Sequence, residues 1–171
     1  MKKILIVGSG RIQGNTSQLS DKFMKGAMAA GHQVMKVHLS ETILGCRGCG
    51  ACQKNGHHCV IQDQMQDIYA LFEKADIIVM ASPLYFWSIS GRLKSFIDRL
   101  YAISTDDQYP HKDTVLLMTA GCKEFYAFEQ AVSFYRFLTN ALGWTNLGMI
   151  LAGGCEGKQV NENDLNEAYQ L

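Results

Sequence analysis

Four cysteines, Cys46, Cys49, Cys52 and Cys59, stand in a C-x2-C-x2-C-x6-C run within GCRGCGACQKNGHHC, Gly45 to Cys59. Thiols this close together can ligate a metal centre, pair as disulfides, or pack as small reduced side chains. Structural zinc sites usually join two cysteine pairs across a longer gap. Three cysteines at successive x2 spacings with a fourth close behind suit an iron–sulfur cubane better. The x6 gap then lets all four thiolates meet on one [4Fe–4S] cluster. His57 and His58 leave zinc open, and redox-active or merely reduced thiols are the remaining readings. Disulfides are disfavoured, because Lys2 and Lys3 precede only four apolar residues, Ile4 to Val7, too few for a secretory signal. The expected compartment is the cytoplasm.

A second group with chemical potential is GSGRIQGNTS, Gly8 to Ser17, which follows a buried apolar run. A loop of this kind, opening a helix, offers backbone N–H groups and the positive end of the helix dipole to a phosphate. Asn15 stands where a Walker A loop requires Lys, which argues against nucleoside triphosphate hydrolysis. A dinucleotide fingerprint needs its third glycine one residue before Gly14 and an acid where the second strand ends, at His38 and Leu39. The remaining reading is a phosphate monoester ringed by the hydroxyls and amide of Ser9, Asn15, Thr16 and Ser17, with Arg11 nearby. The plainer alternative is a turn that only caps the helix.

The third group is SPLYFWSIS, Ser82 to Ser90, with three consecutive aromatics in a connecting segment. Exposed Tyr85, Phe86 and Trp87 call for a flat partner, either a bound ring system or another protein surface. Thr119-Ala120-Gly121-Cys122 and Gly153-Gly154-Cys155 are small-residue loops that let a backbone approach a ligand edge. Cys122 and Cys155 read as packing residues, since no Cys–His nucleophile pair can be placed. No general base can be named either.

These groups must be positioned by alternating elements. Apolar runs mark strands at Lys3–Gly8, Gln33–Leu39, Asp76–Ala81, Thr114–Thr119 and Leu147–Ala152. Helical spacing marks helices from Thr16 to Gly31, Met65 to Ala75, Ser90 to Tyr101, Phe125 to Leu142 and Asn161 to Gln170. Asn161 reads as an N-cap with Asp164 three residues on. Strand and helix alternate without repeat or linker, the signature of a doubly wound parallel sheet. The expectation is one α/β domain over 1–171, three α/β/α layers, strand order 2-1-3-4-5, with the cysteine segment 45–62 as an insertion. Ligands then sit beyond the carboxyl ends of the strands.

Composition excludes some partners. The 171 residues carry 16 basic and 16 acidic side chains, so no concentrated basic surface points to nucleic acid or an anionic membrane.

The stretches Gly8–Leu19, Cys46–Cys59, Asp63–Tyr69, Ala75–Leu100 and Gly153–Val160 together resemble the flavodoxin-like NAD(P)H-dependent FMN reductases, close to their iron–sulfur flavoprotein branch. The resemblance implies FMN, with Ser9, Arg11, Asn15, Thr16 and Ser17 at its phosphate. It implies Pro83, Leu84, Tyr85, Phe86 and Trp87 along the isoalloxazine, and Thr119, Ala120 and Gly121 by its pyrimidine edge. It further implies NAD(P)H as co-substrate and a small molecule or redox protein as electron acceptor. Homodimers or homotetramers with the flavin near a subunit interface are also implied. The alternative it carries is an electron-transfer module with a [4Fe–4S] cluster on Cys46, Cys49, Cys52 and Cys59.

Overall fold

The computed structural model describes every residue except Ser40, Glu41, Asp106, Asp107, Glu156 and Lys158. Its sheet is parallel and five-stranded, in the order β2-β1-β3-β4-β5. The strands are β1 (Lys3–Gly8), β2 (Gln33–His38), β3 (Ile77–Pro83), β4 (Asp113–Thr119) and β5 (Thr145–Ala152). The helices are α1 (Asn15–Ala29), α2 (Met65–Lys74), α3 (Gly91–Arg99), α4 (Glu129–Ala141) and α5 (Glu162–Gln170).

Period-two alternation along the central strands divides the core between two faces. Leu5, Val7, Ile78, Met80, Leu116 and Met118 face α2, α3 and α4, where Phe72, Phe96 and Tyr135 fill the layer. Ile4, Ile6, Ile77, Val79, Val115 and Leu117 face α1 and α5, meeting Leu19, Phe23 and Ala168. The central strands are buried on both faces and so read as unbroken apolar runs. The edge strand β2 is only partly covered, which explains its polar positions.

Helix ends follow local chemistry. Ser90 caps α3 by accepting from the Leu93 amide at 3.2 Å, and Asn161 caps α5 by accepting from the Asp164 amide at 2.9 Å. The expected helix from Phe125 begins instead as a short 3-10 turn, Phe125–Phe128, before α4. That turn bends the chain so that Tyr126 and Phe128 point to different environments, one exposed and one buried. β3 runs through Pro83, two residues beyond the apolar run, because β4 pairs with it as far as Thr119. Among the described residues, no helix is long and apolar enough to cross a membrane.

Segment 45–62 leaves the fold after β2 and returns before α2, with one 3-10 turn at Ala51–Lys54. Both of its ends are fastened by one buried ion pair. Arg99, the last residue of α3, donates to both carboxylate oxygens of Asp63, at 2.9 and 3.2 Å, and to the carbonyls of Leu44 (3.0 Å) and Ile61 (3.2 Å). Leu44 and Met65 donate their amides to the same carboxylate. Burial pushes the Asp63 carboxyl up, but these donors outweigh it and hold it below its ordinary value.

Candidate functional site

A cavity of about 710 Å³ opens where β1, β3 and β4 end. This is where the crossover connections of a doubly wound sheet part, and its size suits a small-molecule ligand. Its floor begins with Gly10, Arg11, Gly14, Asn15 and Thr16. Gly10 has φ of +96°, and a Cβ there would lie 3.3 Å from the Pro83 ring, so glycine keeps the strand-to-helix turn tight against β3. Helix α1 starts after Gly14 with no side-chain cap and no acid in its first turn. Its opening amides and dipole therefore face the cavity without a competing anion.

The loop is locked from below. Asn15 donates its side-chain amide to the Cys155 carbonyl at 2.8 Å, tying α1 to the loop after β5. The hydroxyls of Thr16 and Thr119 lie 2.7 Å apart, joining the start of α1 to the end of β4. Asn15 and Thr16 thus line the cavity and also set its geometry. Two other residues expected at the phosphate face elsewhere. Ser9 is buried, and its hydroxyl donates to the Ala81 carbonyl at 3.0 Å. Ser17 lies one position further round α1, where its hydroxyl accepts from Lys36 at 2.8 Å. Neither side chain lines the cavity.

Pro83, Leu84, Tyr85, Phe86 and Trp87 form one wall, opposite Thr119, Ala120, Gly121 and Cys122. Tyr85 and Ser88 exchange backbone hydrogen bonds at 2.9 and 3.1 Å, closing a two-residue turn around Phe86 and Trp87. Both central residues have positive φ, +47° and +59°. Asn-Gly is the usual choice for such a turn, and bulky residues there cost about 1–3 kcal/mol each. The strained turn presents Phe86, 93% exposed, and Trp87, 59% exposed, at the mouth of the cavity.

Cys155, from the small-residue loop expected near the ligand, completes the lining with Tyr126, Ala127 and Gly157, which were not legible as site residues. Adjacent Phe125 and Tyr126, which cannot both face inward from one helix, were the available signal. Cys155 is buried, and burial pushes its thiol up, away from nucleophilic use. Glu156 and Lys158, within the closing stretch that carries the resemblance, lie outside the described residues.

The four clustered cysteines do not converge. Cys46 and Cys49 are exposed, Cys52 is buried, Cys59 is half-buried, and all six cysteines of the chain are free thiols. No group of three or more His, Cys, Asp or Glu among the described residues is arranged to hold a metal ion. As folded here, the segment does not fit a cluster.

The whole arrangement matches a known family. Residues 1–153 match the model of the NADPH-dependent FMN reductases. An iron–sulfur flavoprotein of Archaeoglobus fulgidus is 32% identical over 176 residues, covering 100% of this chain and 77% of that protein. An iron–sulfur flavoprotein of Methanosarcina thermophila is 34% identical over 100 residues, 58% of this chain and 52% of its own length. Among solved structures, an NAD(P)H:quinone oxidoreductase from Methanothermobacter marburgensis superposes with a TM-score of 0.73 at 16% identity, covering 99% of this chain and 94% of that one. An azoreductase from Bacillus anthracis superposes with a TM-score of 0.71 at 20% identity, covering 99% and 98%. The chain belongs to the NADPH-dependent FMN reductase family and is an oxidoreductase. Its fold is flavodoxin-like, in the expected strand order.

Proposed function

We propose that the chain binds FMN in this cavity and passes electrons from NAD(P)H to a small-molecule acceptor, in the cytoplasm. One observation carries the reading: the cavity has an uncapped helix start at one end and an aromatic wall at the other. FMN needs both, a phosphate monoester site and an apolar slot for a flat ring. The residues present fit the group.

In this reading the amides at the start of α1 and the Arg11 guanidinium hold the phosphate. The turn Tyr85–Ser88 holds the ring on one side, with the loop after β4 at its edge. Bound FMN would supply the hydride-accepting and electron-donating chemistry, and the protein orients the ring and limits solvent access to it. Among the described residues, no side chain in the lining is assigned as a general base. The quinone reductase and azoreductase resemblances favour a quinone or an azo compound as acceptor.

The exposed rim of Phe86, Trp87, Phe125 and Tyr126 supports a homodimer or homotetramer in which a second copy covers the cavity mouth. The test is titration of apoprotein with FMN, followed by NADPH oxidation with a quinone. Quenched flavin fluorescence at one FMN per chain and flavin-dependent turnover are expected. Absence of saturable quenching overturns the proposal.

The relatives named iron–sulfur flavoprotein favour a second reading, electron transfer through a [4Fe–4S] cluster on Cys46, Cys49, Cys52 and Cys59. It requires the segment to rearrange, for which Gly48, Gly50 and Gly56, all at positive φ, supply turning points. Protein purified without oxygen would then be brown, with about four irons and four sulfides per chain. Iron-free yellow protein after anaerobic reconstitution removes this reading.

A further inference from the structure

The loops after β4 and β5 press against each other at the edge of the cavity, and each brings one cysteine to it. Cys122 and Cys155 both line the cavity. The Gly154 amide donates to the Cys122 carbonyl at 2.7 Å, and the Cys155 amide donates to the Ala120 carbonyl at 2.8 Å. Cys155 is therefore one residue from the backbone partner of Cys122, and such partners lie about 5 Å apart at Cα, within the range a disulfide spans. Two glycines permit the approach. A Cβ on Gly153 would lie 2.8 Å from the Cys122 carbonyl oxygen, and one on Gly154 would lie 2.9 Å from the Lys123 side chain.

The two thiols differ in access. Cys122 is exposed in the bend after β4, Cys155 is 4% exposed, and both are free. The Cys155 backbone is held on both sides, its amide by Ala120 and its carbonyl by the Asn15 side chain. An exposed thiol paired with a fixed, buried one is the arrangement of an attacking and a resolving cysteine. Burial raises the Cys155 thiol, so it does not open a free disulfide. Against a sulfur already joined to Cys122 its attack is intramolecular, which raises its effective concentration. Among the described residues no histidine lines the cavity, so a Cys–His nucleophile for acyl transfer is not built here.

We infer that Cys122 and Cys155 form a dithiol–disulfide couple that reduces a small disulfide. The Cys122 sulfur bonds to one substrate sulfur, the substrate S–S bond breaks, and the first product thiol leaves with a proton. The Cys155 sulfur then bonds to Cys122, and the second product thiol leaves with the other proton. The substrate has gained two electrons, and the protein holds one disulfide. Its return to two thiols takes two electrons and two protons, which NADPH and a solvent proton supply through the flavin. That return rests on FMN occupying the cavity; the exchange itself does not.

The experiment treats the full chain, with and without FMN, with oxidised glutathione, blocks the remaining thiols and maps the peptides by mass spectrometry. A Cys122–Cys155 bond is expected in both samples, two hydrogens lighter than the thiols and carrying no glutathione. Glutathione retained on Cys122 beside a free Cys155 overturns the inference, and so does an unmodified Cys122 when exposed Cys46 and Cys49 have reacted. Cys155→Ser should trap glutathione on Cys122. Cys122→Ser, at an exposed position, should leave Cys155 unreacted. The oxidised, FMN-loaded protein is then given NADPH without oxygen. One NADPH consumed per Cys122–Cys155 bond, with both thiols recovered, is expected. FMN bound normally with the bond left intact overturns the inference alone. Wild-type protein that binds no FMN overturns the flavin reading and the return step, while the exchange in the FMN-free sample still decides the couple.

Discussion

Arg99→Met should loosen the fold and the cysteine segment together while leaving the cavity at the ends of β1, β3 and β4 intact. The Arg99 side chain is 1% exposed and that of Asp63 is 4%, so the pair is shielded from solvent screening. Methionine keeps most of the volume but removes every guanidinium hydrogen bond. Asp63 would then be a buried carboxylate supported by the Leu44 and Met65 amides alone, and the Leu44 and Ile61 carbonyls would lose a donor. Breaking a buried pair from one side costs about 3–5 kcal/mol. Against a typical total of about 5–15 kcal/mol, that is a large fraction of the stability. With a urea dependence of about 2 kcal/mol per molar, the unfolding midpoint should fall by about 2 M at unchanged slope. Circular dichroism in urea measures it, and a thiol reagent should find Cys52, buried in the wild type, newly reactive. Adding Asp63→Leu should recover most of the loss, because two apolar side chains need no partner. A shift in Arg99→Met within about 0.5 kcal/mol, the range of ordinary surface substitutions, would refute the assignment of this pair as the fastening of the segment.

Asn15→Asp places a carboxylate at the start of α1 and against the Cys155 carbonyl; FMN affinity should fall about tenfold or more, read by fluorescence titration. Replacing Phe86 and Trp87 with Asn and Gly relieves two positive-φ residues, so thermal unfolding should report a gain of about 2–6 kcal/mol while FMN retention weakens. Gly26→Ala forces a Cβ to within 2.0 Å of the Tyr169 carbonyl, where α1 and α5 touch, and should destabilise by about 1–3 kcal/mol in the same assay. The Asp63 carboxyl is held below its ordinary value in the folded chain, so its contribution is complete above the ordinary carboxylate range and is lost as pH falls through the lowered folded value. Acid unfolding should therefore be shallower in Asp63→Asn, though from a lower starting stability.

The sheet was legible because a strand buried on both faces must be apolar at every position, as Ile4–Val7, Ile77–Ala81 and Val115–Met118 are. The loop after β1 was legible from the small and polar residues of Gly8 to Ser17, features carried by a few adjacent residues; that α1 starts without a side-chain cap was not. Nor was what a side chain in that loop faces. Ser9 turns under β3 and Ser17 turns toward Lys36, because a strand end and a helix each rotate successive side chains by fixed angles. The strained Phe86–Trp87 turn escaped notice because residue type argues against positive φ, and only the surrounding pairing holds it there. The approach of Cys122 to Gly154 and Cys155 depends on β5 lying beside β4, contacts spanning dozens of residues. Cysteine spacing, likewise, says which thiols can meet but not whether they do. Local periodicity and turn chemistry are properties of neighbouring residues, so the sequence alone determined the layers, the strand order and the strand-to-helix loop after β1. Which side chains share a cavity is set by register and crossover, and only the tertiary structure decided that.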